Sequence, residues 1–153
     1  MLYPFQVPVK PHVRKYLVYH LTTGYKLTST DPFGRCLRML LQQPREKKAW
    51  DGFTGRYTAL FAVAVDGNQL LQKRLRVLSS KSVIDFNNFV ESVIKAEFHS
   101  FVDNRKMFGL SQYSSIQQFR AKYDFQDEDI SHDTLKKSWQ RQVPHHPVSV
   151  RPA

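Results

Sequence analysis

The chain has 153 residues, 41% of them hydrophobic, with eleven Phe and seven Tyr. That length suits one domain with a real core, and that composition excludes a disordered chain. A net charge of +10 attracts polyanions at long range, so nucleic acid or an anionic membrane surface is the first partner class to test.

In "YPFQVPV", Phe5, Val7 and Val9 alternate with Gln6 and Pro8. This is strand spacing, and the prolines confine it to a sheet edge. Pro11 suits the first position of a helix that runs from His12 to Thr22, with Gly24 as its stop. Val13, Tyr16, Leu17 and His20 form its apolar side, and Arg14, Lys15 and Tyr19 lie elsewhere on the cylinder. Asp31 as N-cap and Pro32 behind it open the next helix. Phe33, Cys36, Leu37, Leu40 and Leu41 form its stripe, Arg35 and Arg38 lie off it, and Pro44 marks its end.

"RYTALFAVAV" reads as a strand with Tyr57, Ala59, Phe61, Val63 and Val65 on one side. Thr58, Leu60, Ala62 and Ala64 on the other side are also largely apolar, which places the strand centrally. Asp66-Gly67 signals a turn. "LLQKRLRVL" then reads as the returning strand of a hairpin, with a short helix as the alternative. Ser82 followed by Asp85 resembles a capping box. Behind it Val83, Phe86, Phe89, Val90, Val93, Ile94, Phe98, Phe101 and Val102 predict a helix over 83–102 that covers the sheet.

Ser114 or Ser115 caps a helix through Tyr123, with Ile116, Phe119 and Tyr123 inward. Ser131 caps a last helix from about His132, and "VPHHPVSVRPA" is read as a mobile tail. The expected fold is α+β: a small antiparallel sheet, edge strand plus hairpin, covered by helices and followed by a helix-turn-helix-like pair. The expected organisation is a basic body over 1–110, a C-terminal extension over 111–142 and a tail over 143–153.

Residues 1–81 hold 14 Lys/Arg against 4 Asp/Glu, whereas residues 82–153 hold nine of each sign. The electrostatic footprint therefore lies upstream, and Arg14, Lys15, Arg35, Arg38, Arg74 and Arg76 are the candidate phosphate contacts. In the last helix Leu135 and Trp139 form a buried seam, while Thr134, Lys136, Lys137, Gln140 and Arg141 fall on other faces. A recognition helix needs that layout: a narrow apolar seam, then donors for base edges and phosphates. Five acids between Asp124 and Asp133 oppose it unless they point away from the phosphates. A turn longer than the usual three or four residues also opposes it. The competing reading is a capped terminal helix with a solvated basic face.

The last 24 residues resemble helix-turn-helix ends of phage and mobile-element DNA-binding proteins. The N-terminal strand and basic helices loosely resemble the ribbon-helix-helix layout, in which Gln6 and Lys10 would be the polar strand residues and Pro8 departs from the pattern. Trp50 and Phe53, in a loop among Arg45, Lys47, Lys48 and Arg56, are the aromatics placed to stack on unpaired bases.

Catalysis finds little support. The histidines are scattered, His145-His146 has no accompanying ligand at metal spacing, and no nucleophile motif or phosphate loop is present. Cys36 reads as a buried small hydrophobe. Alone, it cannot form an internal disulfide, which fits a reducing cytoplasmic setting, the host cytosol for a phage-encoded chain. No apolar run approaches a membrane span, and the N-terminus lacks the pattern of a signal peptide.

The expectation is a non-enzymatic nucleic-acid-binding protein without cofactor or metal. Duplex DNA is favoured, in regulation or in replication and packaging of a mobile genome. The alternatives are a structural or adaptor protein of a phage-like assembly, with a protein partner or a second copy, and an RNA or single-strand binder.

Overall fold

The computed structural model describes residues 2–42, 56–67 and 78–142. Three strands and five helices are found among them: β1 (Leu2–Val9), α1 (Pro11–Leu21), β2 (Tyr25–Lys26), α2 (Pro32–Leu41), β3 (Ala59–Asp66), α3 (Ser80–Met107), α4 (Gln112–Tyr123) and α5 (His132–Gln142). The fold is α+β. The chain divides into two compact units, Met1–Ser92 and Val93–Ala153. The division falls inside α3, because the C-terminal part of the aromatic stripe shares a core with α4 and α5.

In the first unit the sheet order is β1-β3-β2. β1 pairs antiparallel with β3 from Leu2↔Asp66 to Val9↔Ala59, and β2 pairs parallel with β3. β1 is an edge strand and β3 is central, as expected. The second neighbour of β3 is the two-residue β2, which makes the sheet mixed. The expected returning strand, with Arg74 and Arg76, lies outside the described residues. Val7, Val9, Phe61, Val63 and Val65 share one face and are buried, with Val13 and Leu17 of α1, Leu37 of α2, and Val83, Phe86 and Val90 of α3. On the opposite face several of the described residues are exposed. Gln6 and Ala62 are exposed and Leu60 is 52% exposed, so β3 is central by pairing but is not buried on both sides. On α1 the buried histidine is His12, whereas His20 is exposed.

A fully buried amide fixes the corner between β1 and α1. Asn87 of α3 donates from Nδ2 to Pro8 O (3.1 Å) and Val83 O (2.8 Å), and its Oδ1 accepts from Lys10 N (3.0 Å). Pro8 O therefore points away from β3. Outward-facing backbone recurs at every second residue, so Pro4 and Pro8 both face away from β3, where a missing N–H breaks no bond of the β1–β3 ladder. Beside this corner Lys10 Nζ pairs with Glu91 (2.6 Å) and His12 Nε2 lies 3.6 Å from the same carboxylate. Burial alone would raise the Glu91 carboxyl. The hydrogen bonds and charges of His12 and Lys10 outweigh burial and hold it down at about 2.

The helix starts differ from expectation at two caps. The side chain that accepts from the first turn of α3 belongs to Ser79, whose Oγ takes the Ser82 N–H (3.0 Å). Asp85 pairs with Lys81 one turn away. The α4 cap is Ser111, whose Oγ accepts from Ser114 N (3.1 Å).

α3 continues to Met107 and ends in a Schellman pattern: Leu110 N–H donates to Arg105 O and Gly109 N–H to Lys106 O, with Gly109 at φ 78°. In the second unit Phe98 and Val102 of α3, Ile116, Phe119 and Tyr123 of α4, Phe125, and Leu135 and Trp139 of α5 form the core. Phe119 sits among Phe98, Phe101, Tyr123 and Phe125 at ring separations of 5.2–6.2 Å. Among the described residues no helix is long and apolar enough to cross a membrane.

Candidate nucleic-acid interface

Among the described residues, cations come together in the first unit at α2 and in the second on α5. In the first, Asp31 caps α2 by accepting the Gly34 N–H at Oδ1 (2.7 Å) and the Tyr25 hydroxyl at Oδ2 (2.7 Å). Burial, followed by the bond to Asp31, pushes the Tyr25 phenol up, so it remains a donor. Gly34 has no Cβ because the Thr28 carbonyl and the Tyr25 hydroxyl occupy its place. The residue 27–31 loop is thereby pressed onto the first turn of α2. Beside it Lys26, Leu27, Thr28, Ser29 and Arg38 line an open depression of about 480 Å³.

Arg35 and Arg38, three residues apart on α2, are helical neighbours. Arg14 lies elsewhere. Its Nε donates to Leu60 O (3.0 Å), a carbonyl on the side of β3 away from β1. Lys15 is half-buried on α1. Arg35 and Arg38 share α2, and Lys26 lines the depression with Arg38. Arg14 is engaged at the sheet, and Arg74, Arg76, Trp50 and Phe53 lie outside the described residues. Sequence reasoning did not place Lys26 beside Arg38, because a two-residue strand has no readable period. Of the strand residues named by the ribbon-helix-helix resemblance, Gln6 is exposed and Lys10 is tied to Glu91.

In the second unit Ser131 caps α5, accepting the Thr134 N–H (3.1 Å). Thr134 Oγ1 lies 2.9 Å from Ser131 Oγ, so Thr134 belongs to the cap. Leu135 and Trp139 are buried. Trp139 Nε1 donates to Asp103 (3.2 Å), Lys106 lies over the indole ring, and Ser138 Oγ is 3.1 Å from His99 Nε2. Burial lowers the His99 imidazole, which favours the neutral ring in that contact. Lys136, Lys137, Gln140 and Arg141 are all exposed.

At 100° per residue these four side chains span one arc of α5, and Asp133 falls on the same arc. Asp133 is not an open negative charge, because Lys137 pairs with it at 3.0 Å. The acidic turn is similarly engaged. Arg120 binds Asp127 (2.6 Å), Asp129 accepts from Gln126 N, and Asp124 accepts from the Gln126 side chain. Tyr123 donates to Glu97, which Lys122 also approaches. No partner of Lys136, Gln140 or Arg141 is seen among the described residues. Cys36 is half-buried rather than fully buried, and burial with the Asp85 charge raises its thiol. Among the described residues no group of three or more His, Cys, Asp or Glu is placed to hold a metal ion. No protein-family model, curated protein or solved structure matches this chain.

Proposed function

We propose that this chain binds nucleic acid, duplex DNA foremost, with the exposed side of α5 against the bases and the cations of the first unit on phosphates. One observation carries the reading. α5 is pinned through Leu135 and Trp139, while Lys136, Gln140 and Arg141 on its other side are exposed and unpaired among the described residues. A recognition helix needs donors held on a fixed backbone and free of internal partners. The Asp133–Lys137 pair leaves Lys136 and Arg141 as the effective charges of this face.

The test is an anisotropy titration of labelled duplex DNA, single-stranded DNA and RNA at two salt concentrations. Duplex should bind tightest and lose affinity steeply with salt. Replacing Lys136, Gln140 and Arg141 together by Ala should weaken duplex binding at least about tenfold. A folded triple variant with unchanged affinity refutes the role of α5.

A second reading, a structural or adaptor module that meets another protein, is favoured by a different surface. Met107 and Phe108, 82% and 84% exposed, adjoin the exposed Leu110 and Tyr113 where α3 turns into α4. Neighbouring exposed apolar side chains of this size are a common mark of protein contact.

A further inference from the structure

We infer that the depression between β2, the residue 27–31 loop and α2 is a binding site for a phosphate group, with Lys26 and Arg38 as its cationic arms. As a contact to a nucleic-acid backbone this deepens the proposed function and rests on it; as a phosphate site it stands on the geometry of the first unit.

Two cations share the concavity, and its described lining adds the hydroxyls of Thr28 and Ser29 but no carboxylate. Like charges brought together without a counter-charge repel, and an anion between them removes that cost. Arg38 Nε is buried and has no hydrogen-bond partner among the described residues. A guanidinium donor withdrawn from water and left unpaired is costly, and a small turn of the Arg38 side chain toward an oxyanion in the depression satisfies it with a charge-assisted bond. Phosphate fits this donor set better than a carboxylate does. Its several acceptor oxygens can engage a planar guanidinium fork, an ammonium and a hydroxyl together.

The walls are held in advance. Asp31 ties Tyr25 and Gly34 to each other, and Thr28 Oγ1 accepts the Thr30 N–H (3.2 Å), so the loop needs little rearrangement. Arg35, exposed and three residues from Arg38, is placed for an adjacent phosphate along a strand. The depression is open, which suits a group carried on a chain as well as a free one.

The test uses the full ¹⁵N-labelled chain titrated with inorganic phosphate, and with chloride at matched ionic strength. Phosphate should saturably move the amide signals of Leu27–Thr30 and the Arg38 Nε–H signal, and chloride should leave them in place. Lys26→Gln and Arg38→Gln should each abolish the response while the rest of the spectrum stays native. Should Arg38→Gln not fold, Lys26→Gln, at an exposed position, decides alone.

Signals that ignore phosphate, follow chloride equally, or still respond in the folded variants overturn the site. A duplex that moves the same signals assigns the phosphate to a nucleic-acid backbone. A duplex that leaves them still while phosphate moves them assigns a small phosphorylated ligand, and either result supports the site. The α5 triple Ala variant keeps its phosphate response whether or not it loses duplex affinity. Failure of the α5 reading and failure of this site are therefore separable.

Discussion

Replacing Asn87 by Leu keeps the volume of the side chain and removes its three hydrogen bonds. Val83 O retains the helical bond from the backbone N–H four residues on, so two groups lose their partner: Lys10 N–H and Pro8 C=O. Pro8 and Asn87 are buried, and Lys10 is half-buried. Water therefore has poor access to the vacated positions. Each orphaned backbone group costs about 1–3 kcal/mol, which makes the expected loss about 2–6 kcal/mol. That is a large fraction of the roughly 5–15 kcal/mol that holds a domain of this kind together.

Urea unfolding followed by circular dichroism measures the loss directly. With a slope of about 2 kcal/mol/M, the midpoint should fall by about 1–3 M at unchanged slope. Asn87→Asp should be worse at neutral pH, because a carboxylate would face the carbonyls of Pro8 and Val83. An Asn87→Leu protein within about 0.5 kcal/mol of the parent, the range of an indifferent surface change, would refute the claim that this amide fastens β1 to α3.

Gly34→Ala should destabilise by about 1–3 kcal/mol or more, since its Cβ would collide with the Thr28 carbonyl and the Tyr25 hydroxyl; a thermal melt checks it. The Glu91 carboxyl, held at about 2 against an ordinary 4.5, contributes stability that is present above pH 4.5 and lost as pH falls through 2. Urea midpoints between pH 2 and 7 should show that fall. Glu91→Gln should remove roughly 2–3 kcal/mol at pH 7 and flatten the acid limb. Within α5, Gln140→Ala or Arg141→Ala should cost about 1–3 kcal/mol at a preferred duplex site and relax its sequence preference. Lys136→Ala should instead weaken all duplexes alike and lower the salt slope by about one. Equal behaviour of the two sets in anisotropy titrations would mean that the helix does not read bases.

The elements most legible in the sequence were those whose signals are local and repeated. The aromatic stripe of α3, the Asp31-Pro32 start of α2 and the Leu135–Trp139 seam all follow from periodicity or cap chemistry within a few residues. Ser79 and Ser111 were missed because serines lie close together at both helix starts, and only the backbone geometry decides which Oγ reaches an N–H. β2 was invisible for another reason. Leu27 N–H donates to Ala64 O (2.9 Å), a bond to a partner 37 positions away, and a strand of two residues has no alternation of its own. The place of Lys26 beside Arg38 went unread with it. Arg35 and Arg38 were legible as cations off an apolar stripe, but the depression beside Arg38 depends on a loop folded back onto its own helix. Asn87 could not be recognised either, since its partners Pro8 and Lys10 lie nearly 80 residues upstream.

The pairing of β1 with β3 has a consequence for the newborn chain. Its partners are 50 to 64 positions apart, from Val9↔Ala59 to Leu2↔Asp66. At about 5–20 residues per second, β1 emerges several seconds before the strand that will shield it. During that wait Val7 and Val9 are open to any other chain with a free edge, including a second copy being made nearby. Two edges of β1 are then open: the one later taken by β3, with donors at Tyr3, Phe5, Val7 and Val9, and the opposite one, where Pro4 and Pro8 each withhold a donor from an intruding ladder. The prolines that break no β1–β3 bond in the finished sheet thus narrow the ways in which the waiting strand can mispair.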